Sequence, residues 1–455
     1  MDQKQSIALW KQGKDAWNKW AKKMLAAREV LEQTGQWKVE ANLIGHLKGQ
    51  NQPTKDWIEK ARVDFSSLWL RPHDQPEGGS DKEKARDHKS IVLDQSEVDF
   101  RGFIFPCNAD FSNSIFDCGS ALFTGAEFSG GQAVFQSSQF SDGSADFSYA
   151  QFNGGRAFFF NAQFNGGNAL FSYAQFNGGD AFFSNAQFNG GSAFFSRAKF
   201  SHGANFSLAQ FKHPASFQNA IFKENVNFSS ITSEKSFDLT HTEFSQAPDF
   251  TENAFHAPPV LDDITIPDPL KCRMWNWHDV EDEPRHSGMN PFKITNDKTD
   301  SRKYRALSKM ADEAKDYQNE MEFFAREQRC RRFWHDRPFG KGAGRFWFGL
   351  AYEKFSNFGR SFLRPFIGWS ATMAIFATYY GFQAKNTGHI WDSIYLSLRH
   401  GLVISGLTKN GHMTSLLKKM YCTDIPAFAF MLQPFISAIL IFLLLLALRN
   451  QFKIR

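Results

Sequence analysis

Cysteine is scarce and scattered in this chain: the 455 residues hold five, at Cys107, Cys118, Cys272, Cys330 and Cys422. An odd number spread this widely indicates neither a disulfide framework nor a zinc cluster. Cys272 has Trp275, Trp277, His278 and His286 as neighbours, but their spacing matches no metal site. A strong charge of one sign is also missing, because 52 Lys plus Arg against 47 Asp plus Glu leave a formal +5. That balance neither marks a nucleic-acid binder nor excludes contact with an anionic surface. The opening MDQKQSIALWKQGKDAW reaches Gln, Lys and Trp too soon for a signal peptide, so export by that route is not expected. No nucleophile pairs with a base, no two carboxylates share a recognisable context, and the recurrent Gly pairs lack the strand, glycine turn and helix of a nucleotide site. The expectation is a protein that is not an enzyme, with no catalytic, cofactor or metal residues.

What abounds is phenylalanine, 51 residues of it. An ordinary mixed core does not need so many, and the excess excludes a disordered chain and directs attention to repeats. From Phe100 the chain repeats a small residue, any residue, then Phe: Ala109 and Phe111, Ala121 and Phe123, Ala126 and Phe128, on to Ala220 and Phe222. Steps of five to seven residues carry 23 Phe from Phe100 to Phe228, followed by a degraded tail at Phe237, Phe244, Phe250 and Phe255. No α-helix fits, because steps of five at 100° per residue would walk the Phe set around it, and Gly-Gly recurs inside the pattern. Two inward residues two apart are what one short extended segment supplies. Such segments, joined by tight corners, wind into a solenoid with each Phe stacked on its equivalent in the next coil. At four faces per turn the tract makes nearly seven coils, roughly 32 Å at about 4.8 Å per coil. A β-sandwich is disfavoured, since its alternation would not reset every few residues.

Corner lengths alternate. Ser148 and Tyr149 alone separate Phe147 from Ala150, whereas Asn153, Gly154, Gly155 and Arg156 separate Phe152 from Ala157. Long corners are therefore expected to stack into two ridges on diagonally opposite edges, with the Asn-Gly-Gly runs at 153, 165, 177 and 189 supplying positive-φ turns. A geometric role is expected for these ridges, with ligand binding as the alternative. From Phe200 the long corner shrinks to three residues.

These units resemble those of the pentapeptide-repeat proteins, whose repeat is commonly written A(D/N)LxX. The resemblance implies a right-handed quadrilateral β-helix over 97–257, with an early unit at Val63 and Phe65. The chain departs from the family by placing Phe where Leu is usual and by its longer alternate corners. Some members mimic DNA and bind topoisomerases. Here residues 97–255 hold 14 Asp plus Glu against 7 Lys plus Arg, but the charges are sparse and membrane attachment argues against mimicry, so no nucleic-acid partner is expected.

Residues 1–60 are expected to form a helical cap on the solenoid or a membrane-surface segment. The first 45 read as helix, with Trp10, Trp17, Trp20, Met24 and Leu31 near one face. The stretch Trp17–Trp20 is similar to the Trp-rich helix that precedes the repeats in some larger family members. Residues 61–96 suggest a partial first coil plus an exposed loop, polar and turn-rich over 71–89. An irregular connector follows at 258–300, then amphipathic linker helices at 301–364, where Tyr304, Leu307, Ala311, Ala314 and Tyr317 recur at near-helical intervals. The tracts Tyr304–Leu307 and Glu322–Glu327 are similar to the helical linker of membrane-bound pentapeptide-repeat proteins.

Long apolar runs appear only at the end. Residues 365–455 suggest a two-span transmembrane domain: 366–382 is uncharged, and 426–448 at 1.5 Å per residue spans about 34 Å, enough for a bilayer. The first run spans only about 26 Å and would recruit Phe362, Leu363 and Gln383. Arg345, Lys354, Arg360 and Arg364 before the first run, with Arg449, Lys453 and Arg455 after the second, place both termini and the β-helix in the cytoplasm. The expected location is the inner (cytoplasmic) membrane, multi-pass. A candidate pore helix lies between the runs at 391–404, and the region resembles the ion-channel-like C-terminal region attached to some pentapeptide-repeat proteins. Ile404–Thr408 stands where a TVGYG-type filter would be, so carbonyl-cage potassium selectivity is not expected. Candidate pore-lining or gate residues are Arg399, His400, Ser405, Gly406 and Thr408. Arg399 and His400 must face a pore, a partner or water, because lipid exposure would be costly.

The function expected from these features is a membrane-anchored scaffold or oligomerisation protein. Its partners would be the lipid bilayer, further copies of itself and a cytoplasmic protein on the β-helix. The rival expectation is an oligomeric channel or channel-like gate regulated by the β-helix, a tetramer if each copy gives two spans and a pore segment.

Overall fold

Each Phe-centred unit forms a strand of only two residues, such as Ala145–Asp146 or Gln151–Phe152. In the computed structural model these strands fall into four parallel sheets, and from Val98–Asp99 to Glu243–Phe244 each strand pairs with the fourth one along the chain. Ala121 pairs with Ala145 and Ala145 with Ala169, so one coil takes 24 residues (145 − 121). After Phe200 the pairing of Ala193 with Ala215 shortens a coil to 22 (215 − 193), as the shorter corners require. The structure describes residues 1–41, 47–72, 88–93, 97–272, 299–332, 335–383, 390–402 and 427–452. Most of the polar loop, together with Trp275, Trp277, His278, His286, Ser405, Gly406 and Thr408, lies outside the described residues.

The chain divides into two compact units, Met1–Pro284 with Arg302–Glu320, and Arg285–Ser301 with Met321–Arg455. In the first unit the Phe side chains form four ladders. Successive rings along 123, 147, 171 and 195 lie 4.7 to 4.9 Å apart and within 3° of parallel. The ladder through 111, 135, 159, 183 and 206 has the same spacing. Neighbouring ladders meet edge to face, as Phe147 does with Phe159 at 5.2 Å and 87°. Both arrangements suit the ring quadrupole, and the stacking distance is the strand spacing itself, so backbone pairing and ring stacking reinforce each other. The winding begins with Val63–Asp64 and Leu68–Pro72, which pair with Ala109–Asp110 and with Ile115–Phe116. It continues past the expected end at 257: Val260 bridges Asp238, Thr265 bridges Glu243, and buried Leu261 occupies an inward position. The repeat faded from view there because aliphatic residues replace Phe.

Helices precede the coils. The expected single helix over the first 45 residues is two, α1 (Gln3–Trp10) and α2 (Lys14–Gln33), broken at Gly13 with φ +89°, followed by a short antiparallel pair and α3 (Gln52–Ala61). Asp2 and Gln5 close a capping box on α1. On α2, Asn18 accepts from Ile104 N at 2.9 Å and donates to Gly102 O at 2.8 Å, and buried Trp17 donates to Ile104 O at 2.8 Å. Side chains thus satisfy the edge groups that a further coil would otherwise pair. Trp10 stacks on Phe100 at 5.2 Å, extending a ring ladder.

Further helices are α4 (Asp300–Glu313), α5 (Tyr317–Arg331), α6 (Ala343–Ser356), α7 (Leu363–Gln383), α8 (Ile390–Gly401) and α9 (Ala427–Phe452). Within the second unit α8 packs on α7, and α9 packs on both.

Candidate functional site

Two sets of residues stand out: the corner columns of the solenoid and the polar contacts of the second unit. At the short corners the second residue is left-handed, with φ between 55° and 61° at Asn113, Ser137, Tyr149, Asn161, Tyr173, Asn185, Arg197 and Leu208. Gly102 and Gly125 hold the same place in the early coils. Each corner is closed as in Ala150 N to Phe147 O at 3.1 Å, while Tyr149 N donates to Ser172 O in the next coil at 2.9 Å. Side chains here point outward and stack: Tyr149 on Tyr173 at 4.8 Å, with the Arg197 guanidinium 5.3 Å from the centre of the Tyr173 ring. In the other short-corner column Asn185 donates to Asn161 at 2.8 Å.

Asn-Gly-Gly corners serve a different purpose from the positive-φ turns expected of them. None of the glycines in the runs at 153, 165, 177 and 189 has a positive φ. A Cβ on Gly154 would lie 2.3 Å from Gly131 N, and one on Gly190 2.2 Å from Gly166 O. These residues are glycine because the backbone of the preceding coil passes through the space a side chain would take. The asparagines form ladders, Asn177 donating to Asn153 at 3.0 Å and Asn189 to Asn165 at 2.9 Å, so the long corners stack in two columns.

In the second unit, Arg329 and Arg332 converge on buried Glu353 at 2.8 and 2.6 Å. Arg326 at 3.0 Å, together with Arg360, meets Glu322. Burial alone would raise both carboxyls, but the guanidinium groups hold Glu353 and Glu322 below the ordinary glutamate range. Further on, Tyr380 Oη donates to Gln433 Oε1 at 2.9 Å, and Gln433 Nε2 donates to Ser397 O and Oγ, both at 2.8 Å. Ser397 Oγ donates to Met373 O at 2.7 Å, and Trp369 Nε1 to Gly401 O at 3.1 Å. One glutamine thereby ties α9 to α7 and α8.

Arg399 and His400 lie half-buried in the last turn of α8, where cations suit the helix dipole, and His400 faces Tyr380 at 6.4 Å. Glu353, Glu322 and Gln433 were missed from sequence. Their signals were a carboxylate inside an aromatic helix, four arginines within 326–332, and one lone amide in the last apolar run.

A family model for pentapeptide repeats (9 copies) matches residues 195–243. The chain carries a pentapeptide-repeat β-solenoid domain. No curated protein and no solved structure matches the chain. Pentapeptide-repeat solenoids are a non-catalytic scaffold fold, and among the described residues no group of three or more His, Cys, Asp or Glu could hold a metal. The described cysteines are buried, and burial pushes the Cys107 thiol up to about 11 and that of Cys118 to about 12. Outside the pentapeptide-repeat domain, α9 contains Leu432–Asn450, the one described segment long and apolar enough to cross a membrane by length and composition. At 21 residues α7 is long enough but less apolar, because Trp369, Thr372, Thr378, Tyr379 and two glycines dilute it.

Proposed function

We propose that this protein is a non-enzymatic, membrane-anchored scaffold or oligomerisation protein. Its rod is a right-handed quadrilateral β-helix in the cytoplasm, capped by residues 1–60 and anchored in the inner membrane by two spans within 365–455. The observation that carries this reading is the inverted polarity of α9. Its outward residues are apolar, at Phe435, Ile439, Phe442 and Leu445, while Gln433 and Ser437 are fully buried beside Leu440, Leu443 and Ala447. Water penalises that arrangement and lipid favours it. A rod with a dry core offers only its surface, so its function is to present the corner columns to other molecules. Mass measurement of the full chain in nanodiscs is the test. Discrete oligomers are expected, whereas a chain recovered from the soluble fraction, or strictly monomeric in the bilayer, would sink the reading.

A second reading is favoured by the Tyr380–Gln433–Ser397 contacts, which hold α8 as a short helix against two longer ones. In that reading α8 is the pore helix of a tetrameric channel or channel-like gate, with Arg399, His400, Ser405, Gly406 and Thr408 along the path. Purified protein in planar bilayers should then conduct, and Arg399→Glu should change its ion preference. Silence under voltage, tension and ligands would remove this reading and leave the first standing.

A further inference from the structure

Helix α6 turns an aromatic face outward and buries a carboxylate. At 3.6 residues per turn Phe348, Ala351 and Phe355 share a sector of roughly 60°, and Phe346 and Glu353 occupy the opposite side. The buried side carries a charge beside Phe346, since Glu353 is enclosed with Arg329 and Arg332. The outward side is aromatic: Phe348 is 61%, Phe355 46% and Trp347 50% exposed. Cations flank that face on both sides, with exposed Lys354 next to Trp347, and Arg345, 70% exposed while paired with Asp336 at 3.0 Å, beyond Tyr352. A water-facing helix would carry the reverse pattern.

The place of α6 in its unit points to one occupant. Helix α6 packs on α9, and Tyr352 of α6 and Asn450, the residue at which the apolar segment Leu432–Asn450 ends, meet beside Gly359, where a Cβ would lie 2.5 Å from both the Tyr352 hydroxyl and the Asn450 amide. Arg449 beside it marks the same level. Exposed apolar residues occur again at the start of α7, at Phe362, Leu363, Phe366 and Ile367, with Arg360 and Arg364 exposed among them. A helix tied to the polar end of a membrane segment lies at headgroup depth. Aromatic rings toward the acyl chains and cations at the flanks are the chemistry that depth selects.

We propose that α6 lies in the plane of the membrane interface, with Trp347, Phe348 and Phe355 at the acyl boundary and Lys354 and Arg345 contacting anionic lipid headgroups. This rests on the membrane-anchored reading. The test uses the full chain in nanodiscs of phosphatidylcholine alone or mixed with phosphatidylglycerol, carrying a phospholipid photolabel in the upper acyl region. Adducts are then mapped by mass spectrometry. Adducts are expected at 347, 348 and 355 as well as at 435–445, with those on α6 increasing when phosphatidylglycerol is present. Adducts at 435–445 alone would overturn the interfacial placement while leaving the anchor intact, and adducts at neither would overturn the anchor itself. Copy-to-copy cross-links through α6 without lipid adducts would make that face a protein interface and also overturn the proposal. Lys354→Glu, at an exposed position, should weaken the phosphatidylglycerol dependence on α6 and keep the adducts at 435–445. An unchanged dependence would refute the anionic preference.

Discussion

The two units of this chain solve the problem of burying polar and apolar groups in opposite ways. In the solenoid the interior is phenylalanine and alanine, and the polar side chains form ladders outside. In the helical unit glutamine, serine, glutamate and arginine are enclosed among apolar residues such as Phe323, Phe346, Phe358 and Leu440, and further phenylalanines, tryptophan and isoleucine face outward. The first arrangement is stabilised by removing apolar surface from water. The second adds to apolar burial a set of specific buried polar pairs that fix its geometry. One chain therefore contains a core that repetition makes robust and a helical assembly that a few side chains hold together.

The contrast can be broken most directly at a ladder position. Phe159 is fully buried and stacked on Phe135 and Phe183, so Phe159→Ala should cost about 3–5 kcal/mol in denaturant unfolding of the full chain, followed by its β signal. Phe442→Ala on the outer face of α9 should cost less than about 1 kcal/mol in detergent. Equal losses would show that the two aromatic populations are not different in kind.

Next in size is Glu353→Gln, which leaves Arg329 and Arg332 without their buried counter-charge and should cost the helical unit about 3 kcal/mol. The same residue sets a pH dependence. Its folded pKa is depressed below the ordinary 4.5, so its contribution is complete above that value and is lost as the pH falls through the folded one. Thermal melts of the helical unit should drop in acid below about pH 4.5, and more shallowly in the Gln variant.

Glycines sharpen the comparison further. Gly190→Ala drives a Cβ into the Gly166 carbonyl and should destabilise the solenoid by about 1–3 kcal/mol. Gly349→Ala in α6 meets nothing within 4 Å and should stabilise its helix by about 0.5–1 kcal/mol. The smallest effect is expected at exposed Leu208, left-handed at φ 61°. There Leu208→Gly should raise stability, by less than about 1 kcal/mol, because relief of the left-handed strain outweighs the added chain entropy. Melting curves of the single variants would check both signs.

Much of the solenoid was legible because its constraint is local and repeated: a small residue and a Phe two apart, reset at each corner, permit an extended segment and no helix. The alternating corner lengths even foretold the two columns of long corners. What the residues concealed was the reason for each glycine. Asn-Gly-Gly reads as a positive-φ turn, yet left-handed backbone falls at Tyr149, Tyr173 and Leu208, where local preference opposes it and pairing with the next coil enforces it. The signal was faintly present in Gly102, Asn113 and Gly125, spaced at half-coil intervals. In the helical region Arg399 and His400 could be picked out as charges in an apolar setting, but Gln433 and Glu353 could not be ranked, since their roles depend on helices far apart in sequence.

By itself the sequence determined the repeat, the inward Phe positions and the apolar run at the end, because each follows from spacing within a few residues. Only the tertiary structure decided which glycines answer to a neighbouring coil, where side chains of α2 meet the open edge of the first one, and that α6 and α9 bury charge and amide while showing aromatics. Those outcomes depend on what lies opposite each side chain, and a linear pattern carries no record of its neighbours across space.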